Sequence, residues 1–151
     1  NYIGLSLRFQ YVFLLIAYEL KDYGINTKHH IMDNGEKRFR LIGADGSTYI
    51  RTESSLDSGW QNSHYHTTIK ELYLVQKGTI IFVELINNKV NIKKYEEGEF
   101  FISQPMVPHN IYMFPNTILH TIKFGDCSKS DWHENKELDE IIKTFNINEI
   151  K

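Results

Sequence analysis

The stretch that decides the fold is SHYHTTIKELYLVQKG, Ser63 to Gly78. Two histidines stand one residue apart, and four residues separate the second from a glutamate. An apolar run then ends at a glycine. In a strand, residues i and i+2 point the same way, so His64 and His66 project to one face and Tyr65 to the other. Glu71 opens the next strand after Thr67-Thr68-Ile69-Lys70. If that connection turns back as a hairpin, Glu71 lies beside both imidazoles. Two imidazoles and a carboxylate on one face offer metal ligands suited to Fe, Mn, Zn, Ni or Cu. His109, in PMVPHNIYM, is the candidate for a further ligand. Pro108 fixes its own φ and biases Val107 towards an extended shape, which gives His109 a rigid approach.

Outward from this stretch the chain reads as closely spaced short strands. MDNGEKRF and GADGSTY carry Asn-Gly and Asp-Gly turn signals, with KRFRLI and STYIRTE as strands around them. Further strands are expected at 63–67, 71–76, 79–85, 89–95, 99–103, 110–113 and 117–124. Their separators are Lys77-Gly78, Asn87-Asn88, Glu96-Glu97-Gly98, Pro105 to Pro108, and Pro115-Asn116. This rhythm indicates an all-β sandwich or barrel.

The pattern resembles the cupin superfamily. The first cupin motif runs glycine, a short spacer, His-x-His, three or four residues, Glu, six residues, Gly. Here Gly59, His64, His66, Glu71 and Gly78 fill it. The second runs glycine, a spacer, Pro-x-Gly, two residues, His, three residues, Asn. Gly98, Pro105 and His109 take those roles. The resemblance covers about 38–125. It departs from the family where Gly59 stands one residue nearer the histidines and the middle glycine of the second motif is missing. Pro105 is also one residue closer to His109, and Met113 replaces the asparagine. The resemblance implies a cupin β-barrel (a double-stranded β-helix or jelly roll, RmlC-like). It implies one divalent transition metal ion held by His64, His66, Glu71 and His109, and commonly a homodimer.

Composition sets the frame. The 151 residues are 41% hydrophobic and 24% charged, with formal net charge −2, as in an ordinary globular domain. No basic stretch points to nucleic acid, and Lys93-Lys94 reads as a solvated face. The single cysteine, Cys127, allows no internal disulfide. It lacks an activating cation beside it and reads as an inert thiol, consistent with a reducing, cytoplasmic setting.

The ends differ from the middle. FQYVFLLIAYEL, from Phe9 to Leu20, is apolar on all sides at helical spacing. It is too short to span a bilayer, which takes about 20 residues, and no small-x-small cleavage site follows it. It is expected as a packing helix ending near Gly24, with a cleaved or membrane-directed segment as the alternative reading. At the other end, Ser130 or Asp131 is expected to cap an amphipathic helix bearing Leu138, Ile141, Ile142 and Phe145. The expected organisation is a helical segment over 1–36, the barrel over 37–126 and a packed helix over 127–151.

Alternation then assigns neighbours to the site. Tyr73 and Val75 share the face of Glu71, and Ile111 and Met113 that of His109. His120 is in phase with Ile118 and Ile122; with that face inward it enters the pocket as an acid/base candidate, beside Tyr73. Gln61, Gln104, Trp60 and Arg51 are candidates to line or orient the site. Leu72, Leu74, Ile80 and Phe82 are expected on an apolar outer face that a helix, a sheet or a second subunit covers. The expected function is a metal-dependent enzyme acting on a small oxygenated metabolite, by dioxygenase, isomerase or decarboxylase chemistry. The alternative is a non-catalytic cupin that binds a sugar or other small molecule. Neither nucleic acid nor membrane is an expected partner.

Overall fold

A computed structural model describes residues 19–57 and 59–150. The apolar segment from Phe9 therefore lies largely outside the described residues. Its last turn, 19–22, is helical. Gly24 ends it at φ +71°, with the N–H groups of Gly24 and Ile25 bonded to the carbonyls of Lys21 and Leu20. That is the double backbone bond a left-handed glycine makes at a helix end. No helix among the described residues is long and apolar enough to cross a membrane.

Twelve strands follow. They are β1 (Asn26–Ile31), β2 (Lys37–Ile42), β3 (Thr48–Glu53), β4 (Gly59–Trp60), β5 (His64–Tyr65) and β6 (Ile69–Lys77). The rest are β7 (Thr79–Ile86), β8 (Lys89–Glu96), β9 (Phe100–Ser103), β10 (His109–Met113), β11 (Ile118–Gly125) and β12 (His133–Glu134). They form two antiparallel sheets, β1-β2-β3-β11-β6-β9 and β12-β5-β10-β7-β8, with β4 also on β10. Two facing sheets with crossovers between them make the expected all-β barrel.

The strand alternation sorts the core. Tyr73, Val75, Ile80, Phe82, Phe101, Ile111, Met113 and Leu119 fill the space between the sheets. Ile80 and Phe82 are thus interior, not part of an outer apolar face. Both faces of β7 are apolar, so periodicity alone does not say which one turns inward. The opposite face, Ile81, Val83 and Leu85, lies under helix α1 (Lys136–Ile142), through Leu138 and Ile142. Leu74 does point out of the first sheet as expected, where it is 41% exposed near Phe100 and Ile102.

Two features differ from the strand reading. The first sheet begins at Asn26, because β1 pairs along its whole length with β2. Its side chains are almost all exposed, so it carries no alternation to read. Helix α1 is capped by Asn135, whose side chain accepts from the Leu138 N–H. Asp131 has a different task, described below.

Gly78, which closes the first motif, joins β6 to β7 at φ +82°; a Cβ there would meet Thr117 Oγ1 at 2.5 Å and its Cα at 2.9 Å. Thr117 in turn ties the turn down, its hydroxyl donating to the Thr79 carbonyl at 3.0 Å. Backbone strain and the clash act together, so Gly78→Ala is expected to lower stability by about 3 kcal/mol. Urea denaturation followed by circular dichroism measures the loss.

Candidate metal centre

The register of the first sheet builds the centre. Across its inner face, Thr48 pairs with Lys123, Lys123 with Glu71, and Glu71 with Ser103. Directly paired residues share a face, so Lys123 and Ser103 flank the Glu71 carboxylate. Lys123 Nζ lies 3.0 Å from Glu71 Oε1, and Ser103 Oγ donates to Oε2 at 3.4 Å. The Tyr73 hydroxyl donates to Oε2 at 2.6 Å.

The facing sheet supplies the imidazoles. His64 on β5 pairs directly with His109 on β10, and His66 follows two residues later. His66, Glu71 and His109 are buried, while His64 is partly open. The Nε2 atoms of His64, His66 and His109 stand 3.7, 3.4 and 2.9 Å from Glu71 oxygens. Donor atoms of His64, His66 and Glu71 all lie within 4.8 Å of one another. His109 completes the set through Glu71.

Each ring is turned by its other nitrogen. Nδ1 of His64 donates to the Asn62 carbonyl at 3.0 Å, and Nδ1 of His109 to the Val107 carbonyl at 2.9 Å. Nδ1 of His66 donates to the Asp131 carbonyl. A carbonyl only accepts, so each Nδ1 carries a proton, and where that is a ring's one proton its Nε2 lone pair is left aimed at the carboxylate. Lone pairs facing a carboxylate repel unless a cation stands between them. Fixing Nδ1–H on a backbone carbonyl is how metal-binding histidines are oriented. The donor set therefore fits a divalent transition metal ion.

The charges follow this geometry. Burial raises the Glu71 pKa, but His109, His64, His66 and Lys123 outweigh it and hold the carboxyl well below its usual range. Burial lowers the His64 pKa despite the Glu71 carboxylate beside it. Burial first, then Glu71, pushes the Tyr73 phenol well up, so it stays a donor.

The sites expected from sequence divide as follows. His64, His66, Glu71, His109 and Tyr73 come together. His120 does not join them. It lies on the outer face of β11, between the Tyr49 hydroxyl at 2.7 Å and Gln76 Oε1 at 2.5 Å. The inner face of that strand is Leu119, Thr121 and Lys123. Apolar Ile118 and Ile122 lie on the outer face, so hydrophobicity pointed to the wrong parity. Arg51 also faces out, paired with Glu53 at 2.7 Å, and Gln104 is exposed. Gln61 lines the cavity and donates to Glu36 at 3.2 Å. Trp60 lines it too, packed on Tyr112 and Phe145.

Lys123, Asp131 and Trp132 were missed. Trp132 stacks on His64 with ring centroids 5.6 Å apart. The Asp131 carboxylate accepts the backbone N–H groups of Thr67, Thr68 and Ile69 at 2.8–3.1 Å, and the Thr67 hydroxyl. It thus ties down the turn between His66 and Glu71. No spacing signal joins residues more than 60 apart in the chain, so this clasp is visible only in the fold.

A cavity of about 540 Å³ opens on His64, Glu71, Tyr73 and Lys123, with Arg38, Arg40 and Trp132 in its walls. Its size suits a small metabolite.

No family model matches the chain, and no curated protein matches it by sequence. Solved structures do. Bacillus subtilis oxalate decarboxylase at pH 4.6 superposes with TM-score 0.60 at 13% identity, over 83% of this chain and 37% of that one. A single-site variant of that enzyme gives 0.61 at 14%, over 77% and 33%. An oxalate oxidase gives 0.55 at 18%, over 66% and 55%. The chain thus spans about a third to a half of these proteins. Both are cupin proteins, and this chain has the cupin fold.

Asp131 carries a test of the clasp. Replacing it by Asn turns one acceptor oxygen into a donor facing N–H groups, with an expected loss of about 3 kcal/mol. Burial raises the Asp131 pKa, but the Thr67 hydroxyl and the three N–H groups win and depress it far below its ordinary 3.8. Its contribution is therefore full above the ordinary Asp value and drains away as pH falls below it. Thermal melts of parent and Asp131→Asn, run from pH 7 down to pH 3, are expected to hold a constant gap down to about pH 4 and to narrow by roughly 1 kcal/mol below it.

Proposed function

We propose that this cupin-fold chain is a metal-dependent enzyme acting on a small oxygenated metabolite, with its metal held by His64, His66, Glu71 and His109. The observation that carries the reading is the common orientation of the three imidazoles. Every Nδ1 is fixed on a backbone carbonyl, and every Nε2 faces one buried carboxylate.

A divalent ion bound there supplies Lewis acidity towards a carbonyl or hydroxyl, or activates water or dioxygen. The chain's own residues do the rest. Glu71 brings a buried negative charge to the site, and Tyr73 and Ser103 fix its Oε2 by donation. His64, the partly open member, faces the cavity under Trp132 and so marks the side on which a ligand arrives. Lys123 holds an ammonium at the wall, in reach of Glu71 Oε1 and His66 Nε2. There it can donate to an oxygen that gains charge during reaction. Dioxygenase, isomerase and decarboxylase chemistry all fit such a site.

One observation favours the second reading, a non-catalytic binder of a sugar or other small molecule. Lys123 already donates to Glu71 and to His66, which is the service a metal would render. Metal content decides between the two. Protein purified without added metal, measured by inductively coupled plasma mass spectrometry, is expected to carry about one transition-metal equivalent. A His64→Ala/His109→Ala double variant is expected to carry little. A parent that is empty and cannot be loaded ends the enzyme reading and leaves the binder.

A further inference from the structure

We propose that the cavity beside the histidine–glutamate centre takes an anionic ligand, whose charged oxygens are gripped by Arg40. This deepens the reading above and rests on the cavity being the ligand site.

Arg40 lies on the inner face of β2, level with Ile50 on β3, which in turn pairs with Thr121 on β11. It is a wall residue of the cavity. Its Nη1 is buried and has no hydrogen-bond partner among the described residues. Leaving a buried charged donor unmade is costly, and such a group calls for an explanation. The other charged groups of the wall are matched. Arg38 pairs with Glu36 at 2.7 Å, and Lys123 with Glu71 at 3.0 Å. Asp33 lines the cavity but is exposed at its rim. Arg40 is left as the cation without a counter-charge. Burial, and then the neighbouring charge of Arg38, lower its pKa. A guanidinium stays charged even so, which makes an arriving anion the acceptor it lacks.

The fork of a guanidinium matches an oxyanion through two parallel bonds, whether carboxylate or phosphate. Thr48, Thr52 and Thr121 stand in the same walls with hydroxyls to share. Three strand spacings, roughly 14 Å of backbone, separate the β2 and β6 strands that carry Arg40 and Glu71. That separation leaves room for a ligand whose charged group is held by Arg40 and whose other end, if it has one, reaches towards the histidines.

Isothermal titration calorimetry on the full chain tests this, in metal-loaded and chelator-treated forms. The probes are succinate, glutarate and inorganic phosphate, with neutral succinamide as control. At least one anion is expected to bind and succinamide not to. Arg40→Met is expected to weaken the anion by roughly tenfold to a hundredfold, with Arg40→Lys between. Arg51→Met, on the outer face, is expected to bind as the parent does. Without anion, Arg40→Met is expected to melt no lower than the parent, because an unmade donor is gone; this separates lost binding from lost fold. A preference for phosphate over the dicarboxylates, or the reverse, identifies the kind of oxyanion. The proposal is overturned if no anion binds, or if Arg40→Met binds as tightly as the parent. Arg40-dependent binding in protein that never loads metal would sustain this inference while sinking the enzyme reading. Metal loading with binding indifferent to Arg40 would do the opposite.

Discussion

The structure turns on one buried negative charge. Glu71 sits between two sheets, where an unpaired carboxylate would cost several kcal/mol. The fold meets it with Lys123, Tyr73 and Ser103 from its own sheet, and three imidazoles from the other sheet converge on it. Each of those partners depends on a strand register. A slip of one residue in β6 would send Glu71 to the outer face and bring Leu72 into the site. Gly78 holds that register at one end of β6, and the Asp131 clasp holds it at the other.

Much of this was legible in the sequence, for a physical reason. His-x-His and the Glu-to-Gly spacing encode strand parity, which is local. The all-β architecture and the gathering of His64, His66, Glu71 and Tyr73 on facing strands followed from it. The expected hairpin between them does not form, because β5 and β6 lie in opposite sheets and the turn after His66 carries the chain from one to the other. What could not be read were matters of parity and of long range. On β7 and β11 both faces carry apolar residues, so alternation could not say which turned inward; Ile80, Phe82 and His120 were misassigned together. Lys123 was hidden by the same ambiguity. β1 escaped because it is an exposed edge strand with no pattern to show.

The loop before His109 shows how a backbone shape that favours glycine can be held by another residue. The middle glycine of the second motif is absent, yet Met106 adopts φ +63°, the left-handed backbone that favours glycine. Its N–H donates to the His66 carbonyl at 2.6 Å. The loop before His109 is thereby sewn to the strand of the first two histidines, and the strain at Met106 is met by that bond.

The stretch from Asp131 to Asp139 leads further. Its backbone turns His66, its indole covers His64, and β12 pairs with β5. The Asn135 N–H and the Asp139 carboxylate hold Ser63 from both sides of its peptide unit. During synthesis the barrel strands through Gly125 leave the ribosome before this stretch does. A nascent chain halted there would carry His64, His66, Glu71 and His109 with the His66 ring unturned and His64 uncovered, so the centre takes its final geometry only when this last stretch of the chain has been made.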